Sequence, residues 1–245
     1  MTTAVPRRTF LGFLLAAPTL VAAARLGGDV WNGAPAAADG ADPGPPPSQL
    51  TDRYDLSDFL TDAARPTSHL VSVQVNPDGT AAFALPRAEV GQGITTAVAM
   101  LIAEELDLTL DKVHVTLADA RPELVWNQLT GGSNTIHALY EPVRRAAAAA
   151  REQLKRTAAA RWGVPVSTLA TRRGAVHGPS GQRAGYGSLA GAAAVTETTA
   201  VMAELKPAAA FTLIGTPQNR VDARLAITGR KVFAMDVVVP GAVPA

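Results

Sequence analysis

The sequence contains no cysteine, which excludes disulfides, thiolate zinc sites, iron–sulfur clusters held by this chain and a cysteine nucleophile together. Any redox metal must be held by something other than thiolate side chains of this chain. Charge is also scarce: 18% of residues are charged, against about 25% in ordinary globular proteins. The formal net charge is +1, so there is no diffuse basic field for nucleic acid and no acidic surface for a cationic partner. No Gly-x-Ser-x-Gly elbow, no His-x-x-x-His spacing and no Gly-Lys-Ser/Thr loop ending occurs, which removes the serine hydrolase, helix-borne zinc and P-loop readings. What remains is an Ala-rich chain of 245 residues, 47% hydrophobic, with room for one ordinary domain.

Arg7-Arg8-Thr9-Phe10-Leu11 opens an uncharged apolar stretch over residues 10–24. A bilayer-spanning helix needs about 20 apolar residues, so this stretch is short for a span, and Val21-Ala22-Ala23-Ala24 supplies the small residues of a cleavage site. The paired arginines predict a twin-arginine signal over residues 1–24 and a periplasmic or extracytoplasmic location, membrane association included. Removing it takes two arginines and no acid, moving the formal charge from +1 to −1. Residues 25–65, interrupted by Pro45-Pro46-Pro47, read as a flexible linker, with a short turn of helix at 56–60.

Order is expected from about residue 66. Val71, Val73 and Val75 alternate with polar positions, Asn76-Pro77-Asp78-Gly79 is a hairpin turn, and residues 81–86 resume in extended form. Residues 95–107 carry Val98, Leu101, Ile102 and Leu106 at helical spacing, which places Glu104 and Glu105 outward. Residues 113–117 predict a third strand, 124–134 a polar loop and 137–162 a long helix with Arg151, Lys155 and Arg156 on a solvated face. Runs at 171–177 and 183–186 flank Gly178-Pro179-Ser180-Gly181, a second hairpin, before a short helix at 188–194. The order predicts an α+β fold, a mixed or antiparallel sheet with two main helices packed on it.

Two segments carry candidate chemistry. In Glu89-Val90-Gly91-Gln92-Gly93, between an extended run and a helix, the glycines let backbone N–H groups approach a ligand, the helix start favours an anion or metal-oxo oxygen, and Gln92 adds an amide. Thr130-Gly131-Gly132-Ser133, ahead of the long helix, offers neutral donors suited to a large polar heterocycle; a capped helix start with Ser133 or Asn134 as N-cap is the alternative. His137 lies four residues after Ser133 but no third member of a triad accompanies it. His69, His114 and His177 read as surface or capping residues, and Gly185-Tyr186-Gly187 as a turn.

Taken together, Glu89-Val90-Gly91-Gln92-Gly93, Ala103-Glu104-Glu105-Leu106-Asp107 and Gln128-Leu129-Thr130-Gly131-Gly132-Ser133 resemble the molybdopterin-binding subunit of the xanthine dehydrogenase and aldehyde oxidase family, in particular the isoquinoline 1-oxidoreductase β-subunit type. Residues 214–222 and 228–241 continue the likeness. The resemblance implies molybdopterin cytosine dinucleotide as cofactor, with Gly91, Gln92 and Gly93 on the dithiolene side and Thr130, Gly131, Gly132 and Ser133 on the pterin. It implies a small iron–sulfur subunit, a possible cytochrome c acceptor, and oxidation of an aldehyde or N-heterocycle with water-derived oxygen. The family's catalytic glutamate lies far beyond a stretch of this length, so no catalytic residue and no direct metal ligand is assigned, and the chain is expected to be inactive alone.

The implied organisation is a partial cofactor-binding domain at 66–206 and an extended segment at 207–245 leading into a missing hammerhead-type domain. A second polypeptide completing the large subunit is an expected partner, with Ala209, Phe211, Leu213 and residues 237–239 as the candidate exposed apolar patch. Two rival readings remain: an exported noncatalytic binding or assembly module derived from the fold, and a structural domain in which both glycine loops are only turns.

Overall fold

Alternation over residues 71–85 decides the first layer. In the computed structural model, which describes residues 20–23, 71–119, 130–195 and 203–241, Val71, Val73 and Val75 face the core from strand β2 (Ser72–Val75) and its approach. Ala81, Phe83 and Leu85 do the same from β3 (Ala81–Leu85). The Pro-Asp-Gly turn joins them as expected: Gly79 N–H donates to the Asn76 carbonyl at 2.9 Å, and the Asp78 carboxylate accepts from Thr80 N–H at 2.9 Å and its hydroxyl at 2.7 Å.

Helix α1 (Ile94–Leu106) is the crossover that lets β4 (Val113–Leu117) return parallel to β3, Ala81 opposite Val113 and Leu85 opposite Leu117. On the other side of β2 lies β1 (Leu20–Ala23), antiparallel, giving a mixed sheet in the order β1-β2-β3-β4. Inward positions of β2 and β3 and Val113 of β4 are buried, outward ones are not, and Leu117 at the end of β4 is exposed; among the described residues one face of the sheet is covered.

That cover is α1 together with α2 (Asn134–Trp162), whose alanines 146–150 pack closely on α1 and the sheet. The helix starts three residues before residue 137, so Pro142 falls in its interior and the first turn belongs to Asn134, with Ser133 as N-cap at φ 57° and no side-chain cap bond. A second antiparallel sheet follows, β5 (Ala170–Arg172), β6 (Ala175–His177) and β7 (Arg183–Gly185). The single run expected at 171–177 is in fact two strands, split where Arg173 and Gly174 take φ 48° and 68°, a type I′ geometry.

Helix α3 (Tyr186–Val195) starts directly after β7, so Tyr186 is not part of a turn; it is buried, its hydroxyl donates to the Leu106 carbonyl at 2.8 Å, and burial pushes its pKa up. The α+β expectation holds. The segments 24–70 and 120–129, with the linker, the 56–60 helix, His69 and residues 127–129, lie outside the described residues.

The outward placement of Glu104 and Glu105 is overturned. They are 1% and 0% exposed, because residues 203–214 return over the C-terminal end of α1 and bring them partners. Glu104 accepts the N–H groups of Thr212, Leu213 and Ile214 at 3.0, 2.7 and 3.0 Å. Glu105 accepts Arg144 at 2.6 Å, Arg151 at 2.7 Å and the Lys206 N–H at 3.3 Å. Arg151 therefore leaves the solvated face assigned to it, while Lys155 and Arg156 pair within the helix with Glu152. A buried carboxylate is tolerated only when paired and hydrogen-bonded, and these are.

Past residue 207 the described chain carries short helical turns at Ala208–Ala210 and Ala234–Asp236 and the helix α4 (Ala223–Ile227), not an extended run. Of the patch expected there, Ala209 and residues 237–239 are exposed, whereas Phe211 lies half-buried with its ring 4.9 Å from the Arg144 guanidinium and Leu213 packs on the core. Among the described residues no helix is long and apolar enough to cross a membrane.

Candidate cofactor-binding site

Loop one, residues 86–93, leaves the end of β3 and feeds α1; loop two, residues 130–133, feeds α2. One hydrogen bond joins them, from the Ala88 N–H to the Thr130 hydroxyl oxygen at 2.9 Å. Since Glu105 near the end of α1 meets Arg144 and Arg151 of α2, the two helices run in the same sense with both starts at this end. The segments that hold the seven residues singled out from the sequence therefore lie at the same end of the helix pair.

Loop one is closed on itself. The Glu89 carboxylate accepts N–H groups of Gly91 at 2.9 Å, Gly93 at 3.0 Å and Thr95 at 3.2 Å, and the Thr95 hydroxyl at 3.2 Å. The cradle at the start of α1, expected to receive an anion or oxo group, is filled by the chain's own carboxylate. Burial pushes the Glu89 pKa up, but the Gly93, Thr95 and Gly91 amides outweigh it and hold the group below the ordinary 4.5. Gln92 is used likewise: its amide oxygen accepts Val90 N–H at 2.7 Å and its amide nitrogen donates to the Ala88 carbonyl at 2.9 Å. Gly91 and Gly93, at φ 104° and 83°, permit this tight return, which a β-carbon would strain.

Loop two is open. Gly131 N–H reaches the Asn134 side-chain oxygen at 3.4 Å, and Asn134 N–H returns to the Gly131 carbonyl at 3.0 Å. Gly131, Gly132 and Ser133 are exposed, and among the described residues the Gly132 and Ser133 N–H groups and the Ser133 hydroxyl make no hydrogen bond. His137 is exposed one turn on and does not engage Ser133. Among the described residues no cluster of three His, Asp or Glu side chains could hold a bare metal ion.

Several participants were missed by sequence reasoning. Arg87, itself in loop one, is buried and donates to the Pro86 carbonyl at 2.9 Å; burial lowers its pKa to about 10, which leaves it a cation at neutral pH. Arg220 donates to the Gly91 carbonyl at 2.5 Å, pairs with Asp222 at 2.8 Å and lies 3.6 Å from Glu89. Lys231 completes the chain of charges on Asp222, whose pKa is lowered by its hydrogen bond to Arg220. Val221 N–H reaches the Thr96 hydroxyl at 3.1 Å. The signal for this buttress lay in the Arg220-Val221-Asp222 segment, set too far from loop one in sequence to be paired with it.

Loop two offers neutral donors that suit the polar heterocycle of a ligand, whereas the amides and side-chain amide of loop one are satisfied within the loop. The family described as molybdopterin cofactor-binding domain matches residues 55–226. The β subunit of isoquinoline 1-oxidoreductase from Brevundimonas diminuta is 33% identical over 210 residues, 70% of this chain and 27% of its own length. A nicotinate dehydrogenase subunit from Pseudomonas putida is 33% identical over 169 residues, 69% of this chain and 14% of its own length. Quinoline 2-oxidoreductase from Pseudomonas putida 86 aligns with 50% of this chain and 16% of that one, at 21% identity and a TM-score of 0.42. The chain thus spans about a quarter and a seventh of the two curated relatives. With two glycine-bearing loops joined at the starts of adjacent helices, and the family match running through both, this chain belongs to the molybdopterin cofactor-binding domain family.

Proposed function

We propose that this chain is the amino-terminal part of the large subunit of a molybdenum hydroxylase, which oxidises an aldehyde or N-heterocycle with oxygen derived from water, and that alone it is inactive. The observation that carries the reading is the Ala88–Thr130 hydrogen bond, which makes one surface of two loops 42 residues apart within the family match. The names of the curated relatives, an isoquinoline oxidoreductase, a nicotinate dehydrogenase and an aldehyde dehydrogenase, support both substrate classes.

When bound, the molybdenum cofactor, in its cytosine dinucleotide form, supplies the redox centre. The work of this chain is placement. Gly132 and Ser133 would donate to the pterin through their N–H groups and the Ser133 hydroxyl, Gly131 would leave room for it, and Thr130 fixes loop two against loop one. Gly91 and Gly93 let the ligand lie against bare backbone, Gln92 presents the loop edge, and Glu89 with Arg220 keeps that edge rigid. The substrate pocket and the catalytic glutamate belong to parts of such a large chain outside the matched region.

Partners in this reading are a small iron–sulfur subunit, a cytochrome c acceptor and a polypeptide completing the large subunit. The exposed Ile227, Val232, Met235 and Val238 support an apolar contact for the last of these. Export by the twin-arginine route, already folded, accounts for Arg7-Arg8 and the apolar run after it.

One observation favours a second reading, a noncatalytic assembly module: loop one satisfies its own hydrogen bonds and needs no ligand to hold its form. The two separate in metal analysis of the untagged protein from its own host, with co-purifying chains identified in the same sample. Molybdenum and pterin with companion chains support the hydroxylase part. Companion chains without molybdenum, unaffected by Gln92→Ala, support the module.

A further inference from the structure

The apolar run at residues 10–24, read from the sequence as the core of an export signal, ends inside the domain. Leu20–Ala23 pair antiparallel with β2, Leu20 opposite Val75 and Ala23 opposite Ser72. Leu20 and Ala22 are 1% and 4% exposed and join the same core as the valines of β2 and the alanines of α2. These residues therefore have two uses that exclude each other. A leader drawn into an export channel leaves the sheet, and one cut after residue 24 is lost from it. Either event bares the outer edge of β2, with main-chain N–H and C=O groups that call for a strand and, beside them, hollows of leucine and alanine size against α2 and α3.

We propose that the outer edge of β2 is a strand-acceptor site whose occupant is the Leu20–Ala23 segment, and that export and completion of the sheet compete for it. Recognition follows the strand-addition mode, antiparallel main-chain bonding for affinity and inward Leu20 and Ala22 for register. A one-residue slip would turn both to the wrong face. The acceptor site rests on the geometry of β1; only the competition rests on the export reading.

The absence of cysteine makes the test clean. In the full chain, Val21→Cys with Gln74→Cys joins Cα partners in register and should form a disulfide under mild oxidation, whereas Val21→Cys with Val75→Cys, one residue out of register, should not. Full-length Leu20→Asp, with its strand evicted, should bind a labelled peptide of residues 17–25 roughly ten-fold or more tightly than the unsubstituted chain, whose site is filled. Absence of the in-register disulfide overturns the acceptor site, as does equal peptide binding by both proteins. Should Leu20→Asp fail to fold, the cysteine pairs decide alone.

For the competition, the disulfide-locked precursor should fail to be transported and processed by membrane vesicles of the host while the Val21→Cys single variant is processed normally. Processing of both to the same extent overturns the competition, whereas processing of neither overturns the export reading beneath it; the acceptor site stands or falls on the disulfide.

Discussion

The Thr130 hydroxyl lies 2.9 Å from the Ala88 nitrogen and accepts its N–H across 42 residues of sequence. That bond is what makes a single surface out of two loops that otherwise belong to separate helices. Its removal is testable without any cofactor. Thr130→Val should cost about 0.5–1.5 kcal/mol, the net worth of one such bond, and raise hydrogen exchange at Ala88, while Thr130→Ser should retain most of both.

Glu89 and Glu104 set the acid limit of the fold. Both have folded pKa values below the unfolded value of 4.5: burial alone would raise them, but backbone amides, Gly93, Thr95 and Gly91 for one and Ile214, Leu213 and Thr212 for the other, bind the charged form. The unfolded chain therefore takes up more protons in acid, so the stability they contribute is complete above pH 4.5 and is lost as pH falls through the folded pKa values. Chemical denaturation against pH should fall away in that window, and less steeply in Glu89→Gln and in Glu104→Gln.

Glu105 and Arg144 form a pair with side chains 0% and 8% exposed, 2.6 Å apart. Arg144→Met leaves the buried Glu105 with Arg151 and the Lys206 N–H as its remaining partners, so it should destabilise by about 1–3 kcal/mol, less than stripping a buried charge of every partner would. The double variant Glu105→Gln with Arg144→Met should recover part of that loss, and a double-mutant cycle by urea denaturation measures how much.

Gly187 sits where the start of α3 passes under the β2–β3 turn. A β-carbon there would come within 2.7 Å of the Pro77 carbonyl carbon and 2.9 Å of the Gly79 nitrogen. Both are backbone atoms, so Gly187→Ala should destabilise by about 1–3 kcal/mol, the range of overpacking, and lower the thermal midpoint. Gly181→Ala, facing open space, pays only for its φ of 80° and should lose less.

What the sequence could disclose was whatever depends on near neighbours. The alternation of Val71, Val73 and Val75, the Pro77-Asp78-Gly79 turn and the apolar face of α1 are local signals, and the mixed sheet follows from them. Glu104 and Glu105 misled because two adjacent acids on a helix normally face water; their burial depends on the backbone of residues 206–214, which arrives about a hundred positions later. Loop one misled in a related way. Its glycines do create an amide cradle, but Glu89, two residues before the first of them, is placed to fill it.

The claim that both loops hold one cofactor is tested most directly by hydrogen exchange on the complex purified from its host, compared before and after extraction of the cofactor. Gln92, Gly132 and Ser133 should all be protected in the loaded complex and lose that protection together on extraction. Exchange at loop two that is the same in both states, or protection confined to loop one, would contradict it.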